Sequence, residues 1–148
     1  MKVETYLSLI KKLNWLINNK QLEKEELFTL ATKTTQVNDD MPHAPGVSDK
    51  VGNLCVKMQL KEQEIVHAID TYVDLKYEII CQIETLPHDE YQVIHGYYVS
   101  NMKLSEIAAG MGGYSVDWIK DLKNRGISRI RVIESEAFKE ACKLLKCE

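Results

Sequence analysis

Between residues 58 and 86 an apolar side chain returns at every seventh position, at Met58, Ile65, Tyr72, Ile79 and Leu86, with Ile69 and Ile83 between them. Seven residues are close to two helical turns, so the recurrence demands a long helix and is incompatible with the two-residue alternation of a strand. Val66, Val73 and Ile80 widen the stripe to one side, which predicts burial against more than one helix rather than along a narrow two-stranded seam. Glu62 and Lys76 interrupt the apolar positions and limit the registers a coiled coil would accept.

A second stripe precedes it. Val3, Tyr6, Leu7, Ile10, Leu13 and Ile17, then Leu27, Leu30 and Ala31, recur at steps of three and four. The intervening segment 32–50, TKTTQVNDDMPHAPGVSDK, holds two of the three prolines and many small polar residues, and reads as a loop. The expected N-terminal region, 1–85, is a long helical hairpin of 3–31 against 51–85, joined by loop 32–50. Two arrangements suit it: self-association into a homodimer, or a monomeric hairpin packed on the C-terminal domain. Pro87 stops the long helix and opens a new one, with His88, Asp89 and Glu90 in its first turn. Tyr91, Ile94 and Tyr98 then share a face until the helix ends near Ser100-Asn101. A last amphipathic helix carries Ala137, Phe138, Ala141, Leu144 and Leu145 on one side. The fold class is therefore all-α, with residues 86–148 as a second domain.

Composition removes several classes of function. No run of eighteen apolar residues exists, so no membrane span is expected, and the N-terminus lacks a signal-peptide cleavage region, which points to the cytoplasm. Cys55, Cys81, Cys142 and Cys147 have neither zinc-site nor redox spacing and read as reduced thiols. His43, His67, His88 and His95 form no ligand pair at three or four residues. No nucleophile motif or phosphate loop is present, and GMGG follows a helix rather than a strand. The expectation is a non-enzymatic protein without metal or cofactor. Net charge is −3, but five basic residues (Lys120, Lys123, Arg125, Arg129, Arg131) face only two acidic ones across 115–131. Such a local stripe suits either nucleic acid or a solvated helix face.

That stripe lies in LSEIAAGMGGYSVDWIKDLKNRGISRIR, residues 104–131. Ile107, Ala108 and Ala109 offer the small apolar contact that lets two helices cross closely, Gly112 and Gly113 suit the turn, and Ser115 suits an N-cap. Trp118, Ile119, Leu122 and Ile130 are expected to fill the inner face. Val116, Asp117, Lys120, Asp121, Lys123 and Asn124 are then left outside, where the residues of such a helix reach base edges.

The segment 86–131 resembles region four of bacterial sigma factors, and more closely the small phage-encoded sigma-like proteins of Gram-positive bacteria and their prophages. The matching positions are Leu86-Pro87, Tyr91, Tyr98-Val99, Leu104, Glu106-Ile107-Ala108, Met111, Tyr114-Ser115, Ile119, Leu122 and Arg125. The resemblance implies a sigma-like helix-turn-helix regulator of phage or mobile-element origin that binds double-stranded DNA and acts with host RNA polymerase. Carried over by position, Val116, Asp117, Lys120 and Asp121 face bases from a helix capped by Ser115. Lys123, Asn124, Arg125 and Arg129 lie along phosphates. Two departures stand out. The turn is one residue longer than usual, through Gly112 or Gly113, and Asp117 stands where relatives commonly carry arginine. An aspartate repels phosphates, although it can accept from cytosine N4. The local alternative pairs Asp117 with Lys120 and Asp121 with Arg125 along the helix. Two other functions fit the same pattern. One is a module that contacts RNA polymerase or another regulator, and the other is a small terminase-like packaging recognition subunit.

Overall fold

The computed structural model describes residues 1–36 and 45–147, and among these every regular element is helical. The elements are α1 (Val3–Gln36), α2 (Pro45–Ile83), α3 (His88–Ile94), a π-helical turn (His95–Val99), α4 (Leu104–Gly110), α5 (Val116–Arg129) and α6 (Glu136–Leu145). The expected loop 32–50 is shorter than its composition implied. Residues 32–36 continue α1, residues 45–50 open α2, and 37–44 lie outside the described residues. Pro45 stands at the first position of α2, where its missing N–H would have no helical partner in any case and its fixed φ suits the helix.

The chain forms two compact units, Met1–Asn14 with Thr71–Glu148, and Trp15–Asp70. The division falls inside both long helices rather than at the 85/86 boundary marked by Pro87. Residues 1–14 and 71–83 thus join the C-terminal elements.

In the first unit Tyr6, Leu7, Leu9, Ile10 and Leu13 of α1 meet Leu75, Ile79 and Ile83 of α2 in one core. That core also takes in Ile94, Tyr98, Ile130, Phe138 and Ala141. α6 covers it: the Phe138 and Tyr6 rings lie 5.8 Å apart, and Ser135 Oγ donates to Glu78 Oε2 at 2.6 Å while accepting from Phe138 N. Gln82 ties three segments together, donating to the Tyr6 hydroxyl at 3.4 Å and accepting from the backbone N–H of Arg131 at 3.1 Å. Burial, then the charge of Glu78, pushes the Tyr6 phenol above its ordinary range, so it stays neutral.

In the second unit, ion pairs join Lys20 to Glu64 at 2.9 Å, Lys24 to Glu62 at 3.6 Å and Lys61 to Glu23 at 2.7 Å. Among the described residues its buried apolar side chains are few, namely Ile17, Ile65 and Ala68. Trp15, Leu22, Phe28, Leu60 and Val66 are each more than half exposed. An open groove of about 610 Å³ is lined by Phe28, Met58, Ile65, Val66 and Ile69, with Lys24, Glu25 and Glu62 among its polar residues. Val66 and Ile69, expected to be buried by the widened stripe, remain open to solvent here. Burial of Val66 and Ile69 would need apolar atoms beyond the few that this unit supplies.

α5 owes its position to one close approach. A Cβ added at Gly126 would sit 2.7 Å from Ile94 Cγ1 and 3.2 Å from Ile94 Cδ1, so α3 and α5 pack at a distance only glycine permits. Ile94 is fully buried and branched, and it has no room to yield. Gly126→Ala is expected to lower stability by about 1–3 kcal/mol through overpacking, against about 1 kcal/mol of improved helix propensity. Gly110→Ala, whose added Cβ meets nothing within 4 Å, is expected to be neutral or slightly stabilising. Urea melts of the two variants check the pair, and equal midpoints would contradict the close approach.

Candidate nucleic-acid interface

α4 and α5 meet across the turn Met111–Ser115. Gly112 and Gly113 take φ of +93° and +84°, a left-handed backbone that costs other residues energy, so both glycines of the long turn are used. Ser115 caps α5 by accepting from Trp118 N at 3.2 Å. Ile107 and Ala108 of α4, Ile119 and Leu122 of α5, and Val93 of α3 form a small second core. Ala109, expected at the crossing, is exposed.

The π-helical turn seats α4. Ser100 N bonds to His95 O, five residues back, and Met102 N bonds to Gly96 O. The wider turn brings Gly96 against Ile107, where an added Cβ would lie 3.2 Å from that side chain. Asn101, at φ +56°, then ends the segment.

On α5, Ile119, Leu122 and Gly126 face inward, so Asp117, Asp121, Asn124 and Ser128 occupy the opposite face at steps of four, three and four. Lys120 is exposed beside this row, with Val116 and Lys123 along the same flank, while Trp118, Arg125 and Arg129 lie along the other. Trp118 corrects the sequence reading. It is 38% exposed rather than buried, because it stands one position before Ile119 and so falls on the flank of the helix. Tyr114 and Val116, at 49% and 39% exposed, also stand open to solvent at the start of α5.

The basic stripe is partly spent within the molecule. Arg125 pairs with Asp121 at 3.4 Å and its guanidinium lies 5.1 Å from the Trp118 ring centroid. Asp121 therefore serves a helix pair, as the local alternative held. Asp117 makes no ion pair to Lys120 among the described residues. Arg129, expected along phosphates, instead reaches Glu90, whose carboxylate is buried on α3. Glu90 Oε2 lies 3.2 Å from Arg129 Nε in ionic contact but without hydrogen-bond alignment. Lys123 has its Nζ 4.1 Å from the Tyr97 ring centroid, and Lys11 of α1 reaches the same ring at 4.2 Å. No spacing in the sequence points to Glu90 or Lys11. Only the folded arrangement brings residues 90 and 129, and 11 and 123, together.

Arg129 and Arg125 thus have separable roles. Truncating Arg129 leaves a buried carboxylate with less compensation, and Arg129→Ala is expected to cost about 2 kcal/mol, below the full buried-pair value because Arg129 itself is half exposed. Arg125→Ala removes an exposed pair and is expected to cost less than about 0.5 kcal/mol. Chemical denaturation of both variants measures the difference, and comparable losses would contradict the assignment. No family model, no curated protein and no solved structure matches the chain.

Proposed function

We propose that the protein is a DNA-binding transcription regulator of phage or mobile-element type, with α4, the glycine turn and α5 as a sigma-region-four-like helix-turn-helix. In this reading α5 enters the major groove, and the protein works in the cytoplasm with host RNA polymerase, without catalysis. One observation carries the proposal. α5 is held by one buried stripe and a close crossing at Gly126, while its opposite face is wholly exposed from the capped N-terminus onward. A helix rigidly seated from behind and open in front is what groove entry requires.

The charge pattern sets the strength. Asp117 and Asp121 occupy the exposed row, Arg125 is engaged with Asp121 and Arg129 with Glu90. Lys120 and Lys123 are left as the cations of α5 for phosphates, so one copy binds modestly. A second copy raises affinity by making the second contact intramolecular. The groove of residues 15–70 supports self-association into a homodimer through the two long helices acting as a hairpin. No described residue of the unit covers its apolar floor, and its rim carries both signs of charge, so a second copy in antiparallel orientation would meet it with complementary charge.

A second reading has its own support. Tyr114 and Trp118 are exposed near the start of α5, beside a row that carries Asp117 and Asp121, a mixed apolar and acidic surface suited to a protein partner such as a polymerase subunit.

Fluorescence anisotropy of the purified protein on a mixed-sequence duplex tests the first reading. Binding is expected to weaken with salt at a log–log slope of about −2 to −3 per copy, the signature of a few released counterions. Asp117→Asn is expected to tighten binding about fivefold at low salt by removing one repulsive charge, whereas a loss of preference for cytosine-containing sites would make Asp117 a base reader. Absence of any salt-dependent binding would leave the protein-partner reading. Light scattering coupled to size exclusion is expected to find a dimer that Phe28→Ser with Val66→Ser splits into monomers. A ring-sized assembly would point to the packaging-subunit alternative.

A further inference from the structure

The sequence places all candidate DNA contacts between residues 115 and 129. The folded chain adds a cation from its other end. Lys11, on the first turns of α1, and Lys123, on the flank of α5, both bring their ammonium groups to the ring of Tyr97, at 4.2 and 4.1 Å from its centroid. Both also lie near Tyr98, at 5.7 and 5.6 Å. The two rings meet edge to face with centroids 4.9 Å apart, which fixes Tyr97 in place. Residues 11, 97, 98 and 123 all belong to one compact unit.

A tyrosine face attracts a cation but does not neutralise it. Two ammonium groups on one ring repel each other, and among the described residues neither is paired with a carboxylate. Burial, then the charge of Lys123, lowers the Lys11 ammonium from its ordinary range. Both side chains are half-buried. The arrangement is a concentration of positive charge, held by aromatic packing, and the nearby Glu4, whose charge is felt by Tyr98, makes no ion pair with either ammonium group among the described residues. Because both groups lie within 4.2 Å of a single centroid, their separation is bounded by about twice that distance. A phosphate whose oxygens each accept a hydrogen bond at about 2.8 Å reaches both ammonium groups where they share one face of the ring, well inside that bound.

We propose that Lys11 and Lys123 form one phosphate-binding pair over Tyr97, which takes a backbone phosphate of the duplex bound by α5. The pair rests on the DNA-binding reading above and extends it. α1 becomes part of the interface, and Tyr97 becomes a positioning residue that sets the spacing of the two cations. Lys123 lies beside Lys120 on the same flank of α5, so the phosphate belongs to the strand on that side of the groove. The contact carries no sequence preference, since it touches no base.

The test compares Lys11→Gln, Lys11→Arg and Lys12→Gln with the wild-type full chain, by anisotropy on one duplex over a salt series. Lys12 is an exposed neighbour on another face of α1, so its variant reports the effect of net charge alone. Lys11→Gln is expected to weaken binding several-fold at moderate salt, equally for unrelated sequences, and to make the salt slope shallower by about one unit. Lys11→Arg is expected to restore most of both, and Lys12→Gln to leave the slope unchanged. In the wild-type protein, carbon-detected NMR at the Lys11 ε-carbon is expected to show its titration moving upward when the duplex is added. This second readout does not depend on how the variants fold. If the wild type binds with a salt dependence while Lys11→Gln behaves as Lys12→Gln, or the Lys11 titration does not move, the pair is refuted and the DNA reading stands. If the wild type shows no salt-dependent binding, both fall together.

Discussion

The contact of Gly126 with Ile94 governs what α5 can do. With no side chain at 126, α5 settles against α3 closely enough for Ile119 and Leu122 to reach Val93 and the α4 residues Ile107 and Ala108. The same approach brings Arg129 over Glu90 and Lys123 over Tyr97, since both partners lie on α3 or the π-helical turn that continues it. A bulkier residue at 126 would therefore disturb a packing contact, a buried carboxylate and a cation site at once. Interiors packed at crystal density pass such a displacement on rather than absorb it.

Much of this fold was legible in the sequence, for identifiable reasons. The seven-residue recurrence from Met58 to Leu86 and the stripe from Tyr6 to Ile17 foretold α1 and α2. Pro87, Ser115 and the paired glycines marked where α3 and α5 begin, because caps and turns depend on a few local atoms. The ends of the loop 32–50 were misplaced for the same reason in reverse. Small polar residues and proline lower helix propensity, yet the first position of a helix accepts proline. The π-helical turn at His95–Val99 had no signal of its own. It exists because Gly96 must approach Ile107, a contact between residues that no local pattern relates.

The candidate site was legible in its position but not in its electrostatics. Counting five cations against two anions across 115–131 treated each charge as available. Arg125 is held by Asp121 four residues away, which helical spacing did anticipate. Arg129 is held by Glu90 and Lys123 is joined by Lys11, at sequence separations that only tertiary structure closes. Trp118 shows the complementary error. A large aromatic near an apolar stripe reads as core, yet one position along a helix turns a side chain by about 100°, and Trp118 lies on the flank where Arg125 covers it.

These points bear on how the two compact units divide the work. The unit built from residues 1–14 and 71–148 holds two buried apolar clusters, the larger of them drawing on α1, α2, α3 and α6. The unit of residues 15–70 differs. Three buried apolar residues and a few exposed ion pairs, each worth at most about 1 kcal/mol, are a weak basis for holding two long helix segments together. Isolated helix pairs gain most of their stability from a packed apolar face rather than from propensity. The exposed Phe28, Val66 and Ile69 line one open groove, and no described residue of the unit covers it. The rim of the groove carries charges of both signs, Lys24 with Glu25 and Glu62. Under the proposed homodimer, association through residues 15–70 would supply the packed apolar face that the ion pairs do not.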